Sequence, residues 1–238
     1  MEKENKQEKQ NAPIERAVET ENEDPATSTY FYVFLVIIIL AFASIAVYKY
    51  ATSSQNRPLT IEDLHELNLK GKLPPEKGYI TNGFSFVLFD RLWYTKIEAG
   101  DNLYQIPLHF GPNDVKNVVI NGNGVDKEFN NGTDVYLVVN PLSPDSKYIA
   151  LATSELAQNM ITAIKRRPVG ACDRNETSMC IDRPIITDCE KSGKPVVYLI
   201  QENGPAIDFK GNCVILRGVQ SDLVKAVDRL LMKWYNIL

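Results

Sequence analysis

YFYVFLVIIILAFASIAVY, Tyr30 to Tyr48, is an apolar run in a 238-residue chain, set within a longer stretch from Pro25 to Tyr48 that carries no charged side chain. A helix of about 20 apolar residues crosses roughly 30 Å of hydrocarbon. Inside hydrocarbon the backbone must satisfy its own hydrogen bonds, so the run is expected to be a transmembrane helix over residues 30–50. Tyr30, Tyr32, Tyr48 and Tyr50 bracket it where amphipathic rings meet headgroups, and Lys49 marks the water side, so the lipid bilayer is the partner of Tyr30 to Tyr50. A buried core helix would show a polar face, which this run lacks. Ser44-Ile45-Ala46 could serve a signal peptidase, but the segment before the run is acidic where a cleaved leader is basic. The reading is a retained single-pass anchor.

Residues 1–29 hold four Lys/Arg and eight Asp/Glu among Gln, Asn, Pro, Ser and Thr. Such a segment buries too little apolar surface to offset its ordering entropy and is expected to be a disordered acidic tail. Its charge equals the net charge of −4 of the whole chain, so residues 49–238 balance to about zero. A neutral domain has no electrostatic footprint for nucleic acid. Residues 51–77 read as a stalk and a short juxtamembrane helix: Thr60 can cap it, Glu62 and Asp63 suit its first turn, and Gly71 with Pro74-Pro75 ends it.

Residues 78–238 read as an α+β domain, strand-rich in its first half and carrying two long helices. Phe84–Phe89 is apolar on both alternating sets, Trp93, Thr95 and Ile97 alternate against Tyr94 and Lys96, and Tyr104–Phe110, Val115–Ile120 and Asp134–Asn140 have strand composition. Asn121-Gly122, Asn123-Gly124 and Asn131-Gly132 supply turn residues between them. No glycine-rich loop opens a helix there, so these glycines read as turn chemistry and not as a phosphate cradle.

Ser143 as cap and Pro144 at the first position introduce a helix over Ser146–Arg167, with Ile149, Leu156, Met160, Ile161 and Ile164 facing a core. Lys165, Arg166 and Arg167 complement the dipole at its end, lipid or phosphate contact being the rival reading, and Pro168 stops it. Strands follow at Pro184–Thr187, Val196–Gln201, Ala206–Phe209 and Cys213–Arg217. The last helix, about Ser221–Tyr235, turns Leu223, Val224, Val227, Leu230, Leu231, Trp234 and Tyr235 inward and leaves Asp222, Lys225, Asp228, Arg229 and Lys233 for water. A membrane-surface or partner-docking helix carries the same periodicity.

The four cysteines, Cys172, Cys180, Cys189 and Cys213, all lie on the carboxyl-terminal side of the anchor. They allow three connectivities. Pairing Cys172 with Cys180 and Cys189 with Cys213 is favoured, closing loops worth about 2.5 and about 3.5 kcal/mol in the chain-entropy account. Zinc is disfavoured because no Cys-x-x-Cys knuckle exists and the two histidines, His65 and His109, lie far upstream, whereas buried free thiols remain the alternative. Asn131-Gly132-Thr133 and Asn175-Glu176-Thr177 make Asn131 and Asn175 glycosylation candidates, Asn175 within the smaller cysteine loop.

Cys180-Ile-Asp-Arg-Pro-Ile-Ile-Thr-Asp-Cys189, Gly211-Asn212-Cys213 and Asp228-Arg-Leu-Leu-Met-Lys-Trp-Tyr235 resemble uncharacterised single-pass membrane proteins of archaea, mainly of small-genome lineages, over about the last third of the chain. The resemblance implies an archaeal surface setting and transfers no catalytic residue.

No catalytic, cofactor-binding or metal-ligating residue is assigned from the sequence. Ser85 lies in Gly83-Phe-Ser-Phe-Val87, which lacks the second glycine of a nucleophile elbow. His65 is expected on an exposed helix face and His109 on a strand rim. The expected function is a membrane-anchored extracytoplasmic module that binds a ligand or builds structure, with no cofactor. The alternatives are an accessory subunit of a larger membrane complex, whose tail recruits a protein partner, and a membrane-tethered enzyme. Arg16 against Lys49 and Arg57 is a one-charge flank bias toward a cytoplasmic domain. The cysteines and sequons outweigh it, so the expected localisation is the cell membrane, amino terminus cytoplasmic and large domain outside. Protease added to intact cells should then destroy an epitope at Leu238 and spare one at Met1, and the opposite pattern would reverse the topology.

Overall fold

The computed structural model describes residues 25–53 and 58–238, with side chains from 30–50 and from 58 onward. The chain divides into two units, Met1–Pro58 and Leu59–Leu238. In the first, α1 runs from Pro25 to Ser53, extending past both ends of the expected 30–50 span, and its Tyr30–Tyr50 stretch is long and apolar enough to cross a membrane. The rest of the expected acidic tail, residues 1–24, lies outside the described residues.

The second unit begins earlier than residue 78. Thr60 accepts the Asp63 N–H at 3.2 Å while Asp63 accepts the Thr60 N–H at 2.9 Å, a reciprocal cap that starts α2 at Ile61. Helix α2, Ile61–Leu69, packs on a hairpin of β1 (Gly78–Thr81) and β2 (Phe84–Phe89), so it belongs to the domain and not to a stalk. A side chain at Gly78 would place its Cβ 2.8 Å from Asn68 Oδ1, which is why β1 can approach α2 so closely there.

With β3 (Leu92–Ala99) and β4 (Asn102–Leu108) these strands form an antiparallel meander. Its turns are not the Asn-Gly pairs named above. Asn82 and Gly83 (φ 48° and 85°) join β1 to β2, and Asp90 and Arg91 (φ 46° and 66°) join β2 to β3. Two-residue hairpins want positive φ at both central positions, and Asp90-Arg91 supplies it without glycine. Asn121-Gly122 ends a strand of the other sheet, and Asn131-Gly132 precedes another.

That second sheet has six strands: β5 (Val119–Asn121), β6 (Asp134–Val139), β7 (Arg167–Cys172), β8 (Val196–Ile200), β9 (Ala206–Lys210) and β10 (Cys213–Arg217), in the order β5-β9-β10-β8-β6-β7. All neighbours run parallel except β9 and β10. Of the expected Val115–Ile120 strand only Val119 and Ile120 are strand, and residues 115–117 are turn, with Val115 and Val118 buried. No Pro184–Thr187 strand forms; a single bridge joins Ile185 to Cys172.

Helix α3 is Ser146–Asn159, with Asp145 and not Ser143 at its cap position, and it closes through a π turn, Met160–Ile164, ended by left-handed Lys165. Arg167 and Pro168, expected to finish and stop that helix, instead begin β7, where an edge strand tolerates proline. Helix α4 is Ser221–Trp234.

Alternation along the strands sorts side chains into two layers. Val135, Leu137, Val139, Val197, Leu199, Val214 and Leu216 join α3, α4 and the meander's Phe86, Ile97, Ile106 and Leu108 in one core. Tyr136, Val138, Val196, Tyr198, Cys213 and Ile215 face the other way, with Ala171, Ile186 and Cys189 against them. The cover on that face is the irregular segment after β7, whose Cys180 and Cys189 stand at disulfide distance from Cys172 of β7 and Cys213 of β10, Cα atoms 6.0 and 5.6 Å apart. This is the expected pairing.

Leu223, Val227, Leu230 and Leu231 are fully buried. Leu230→Ala should therefore cost about 2 to 5 kcal/mol of domain stability. Ile161→Ala, at a side chain 59 % exposed, should change the urea midpoint little by comparison.

Candidate functional site

A cavity of about 810 Å³ opens in the second unit between α2, the meander, the π turn and the residues after α4. Its wall is mainly apolar, with Phe84, Ile97, Leu103, Phe129, Met160 and Trp234. The volume falls in the range of ligand pockets, about 300 to 1,000 Å³. Each element contributes for a local reason. Strand β3 carries Ile97 and Ala99 toward its turn at Gly100. The π turn, a conformation frequent at functional sites, turns Met160, Ala163 and Ile164 to the cavity.

His65, expected at an exposed face, is only 4 % exposed and lines this cavity. The meander covers it because α2 lies on the β1–β2 hairpin. Its Nδ1 stands 2.9 Å from Ser85 Oγ, and Asn68 donates to the same oxygen at 2.8 Å as well as toward the Tyr79 and Phe86 carbonyls. His65 Nε2 is buried and has no hydrogen-bond partner among the described residues. Burial, then the Lys96 charge, hold this histidine below its ordinary value despite Glu62, so the ring is neutral at neutral pH.

The charges near the cavity are mostly spoken for. Lys96 pairs with Glu62, and Glu66 with Lys70 at 3.0 Å. The basic cluster read as a helix-end complement separates. Lys165 lies over the Tyr104 ring, and Arg167 pairs with Asp134. Arg166 lines the cavity, donating to the Phe129 carbonyl at 2.8 Å and to those of Thr133 and Asp134. Those acceptors belong to the neighbouring loop and β6, not to the helix's last turn.

His109 does sit at the end of β4, and it meets a second polar group. Glu155 accepts both its backbone N–H at 3.0 Å and its ring Nδ1–H at 2.8 Å. Beside them lies Asp228, expected in water yet wholly buried, accepting the Phe110 N–H at 2.7 Å. The loop after β4 folds over α4 and needs that acceptor. Only about 100 Å³ opens next to His109, too little for a substrate, so this cluster joins α3, α4 and β4 as structure.

Among the described residues no three His, Cys, Asp or Glu side chains cluster to hold a metal ion. Asn131 and Asn175 are both exposed, Asn175 between Cys172 and Cys180. Sequence reasoning missed the His65–Ser85–Asn68 group because its members sit on a helix and a strand 17 to 20 positions apart. The available signal was a histidine and an asparagine three positions apart on the face of α2 that also carries Leu64.

No protein-family model, curated protein or solved structure matches this chain.

The Asp228 cluster makes stability depend on pH. Burial first, then the Glu155 charge and hydrogen bond, push the Asp228 carboxyl well above its ordinary range, against the N–H groups of Phe110 and His109. The Glu155 hydrogen bond likewise raises His109, against burial. A group whose pKa rises on folding stabilises fully below its unfolded value, and that contribution fades as pH climbs to the folded one. The loss should begin above about pH 4 for Asp228 and about pH 6.5 for His109. Urea denaturation of wild type should weaken from pH 5 to 9, and Asp228→Asn, which cannot titrate, should flatten part of that slope. Equal slopes would mean that Asp228 is ionised in the fold.

Proposed function

We propose that this chain is a membrane-anchored binding module whose large domain lies outside the cytoplasm and holds a ligand in the cavity beside α2. The carrying observation is the cavity itself: large, mainly apolar, with polar groups among its lining and a buried histidine whose Nε2 has no hydrogen-bond partner among the described residues. The span-forming helix and the paired cysteines support the setting. An archaeal surface, implied by the resemblance of the last third, fits the same picture and stays part of the proposal.

The 2.9 Å contact of Ser85 with His65 carries a second reading, a tethered hydrolase in which His65 takes the Ser85 proton. Binding is preferred because Ser85 is already held by Asn68 and, among the described residues, no third group orients His65 Nε2.

A ligand at 100 times its Kd adds about 2.7 kcal/mol of stability, which for a domain of this size raises Tm by roughly 5 to 10 °C. A thermal-shift screen of apolar and amphipathic compounds on the full chain should find such a shift. Ala99→Phe, which fills the cavity, should abolish it. A fluorophosphonate probe that labels Ser85 and is blocked by His65→Phe would favour the hydrolase instead.

A further inference from the structure

Resting on that binding reading, we infer that the cavity takes an acyl amphiphile, an apolar chain whose carboxylate or carbonyl oxygen accepts a hydrogen bond from His65 Nε2. The direction of the hydrogen bonds assigns the head. Asn68 Nδ2 can only donate, so Ser85 Oγ accepts from it and has its own proton to place. His65 Nδ1, 2.9 Å away, receives that proton, which leaves the neutral ring carrying its hydrogen on Nε2. That N–H is buried with no acceptor among the described residues, on a residue that lines the cavity. An unsatisfied buried donor is costly, and an oxygen-bearing ligand relieves the cost.

The rest of the wall suits the apolar body of such a ligand. Phe84, Ile97, Leu103 and Met160 offer apolar surface to a chain. Glu62 and Glu66 are each paired with a lysine, and Arg166 in the same wall, hydrogen-bonded to carbonyl groups and near the Asp134 carboxylate that Arg167 engages, adds a positive charge there. Glu98 lines the same wall at an exposed position, so the choice of an oxygen-bearing head rests on the His65 donor and not on the absence of carboxylates. The apolar span of α1 also ties the domain to a bilayer, a standing store of acyl chains.

Trp234 lines the cavity and is one of only two tryptophans, so energy transfer from it to a dansyl group reports occupancy. The full chain is placed in phosphatidylcholine nanodiscs, with empty discs as the blank. One arm receives dansyl-undecanoic acid from water, and the other uses discs containing a phospholipid dansylated on its acyl chain. Wild type should show saturable transfer in at least one arm, and the arm that does so identifies the source, free acyl chain or bilayer lipid. Ala99→Phe and Ile164→Phe should remove it. His65→Phe should weaken binding about tenfold, and His65→Gln, which keeps one acceptor and one donor, should restore it to within a few-fold. If the filling variants abolish transfer but His65→Phe leaves affinity unchanged, the head assignment is overturned while the cavity reading stands. If neither filling variant has an effect, or wild type shows no transfer in either arm, the cavity reading falls with it.

Discussion

A largely parallel sheet has two apolar faces and must be covered on both. Here α3 and α4 cover one, and the other is closed by a segment with almost no regular structure. Val138, Val196 and Cys213 would otherwise face water, and what they receive is Ile186 and Cys189 from that segment. A helix holds itself together through its own backbone bonds, and this cover does not. Its two cysteine pairs fasten it at both ends, one to β7 and one to the start of β10. The thiols thus serve a particular layer and not the stability of the domain at large, which a core of this size supplies.

The cavity follows from how the two sheets share the core on the opposite side. Phe86, Ile106 and Leu108 of the meander reach the same cluster as Val197, Leu216 and α4. Strand β3 continues beyond that contact to its turn, and α3 unwinds into its π turn at the same end. Neither fills the space between them. The polar groups that remain there are ordered by backbone carbonyls and by Asn68, so they are rigid before any ligand arrives. Rigid donors lose little entropy on binding.

The elements legible in the sequence were those whose pattern is local. Cys213–Arg217 and Ser221–Trp234 lie almost where the sequence puts them, because the first is a short apolar run just after the turn at Gly211 and the second repeats at helical spacing. The reading failed where a tertiary partner overrules the local signal. Arg167 and Pro168 look like a helix end, yet pairing with β6 draws them into a strand. Asp228 looks like a solvent residue until the loop after β4 brings the Phe110 N–H to it. His65 is ordinary on a helical wheel, and only the placement of α2 on the β1–β2 hairpin turns it inward. Of the candidate site, Ser85 and His65 stand apart in the sequence, and their meeting is a property of the fold alone.

Strand β5 is three residues long, and its partners on β9 are 87 positions later in the chain. Between them lie α3 and three more strands of the larger sheet, β6, β7 and β8. A chain made or threaded across a bilayer from its amino end can therefore complete the meander early, since each of its strands pairs with the next. The larger sheet cannot close until nearly all of the polypeptide has emerged. Such distant pairing slows folding. Over that interval β8 is without β10 and β5 without β9, so this protein's period of greatest exposure to aggregation comes late in its birth.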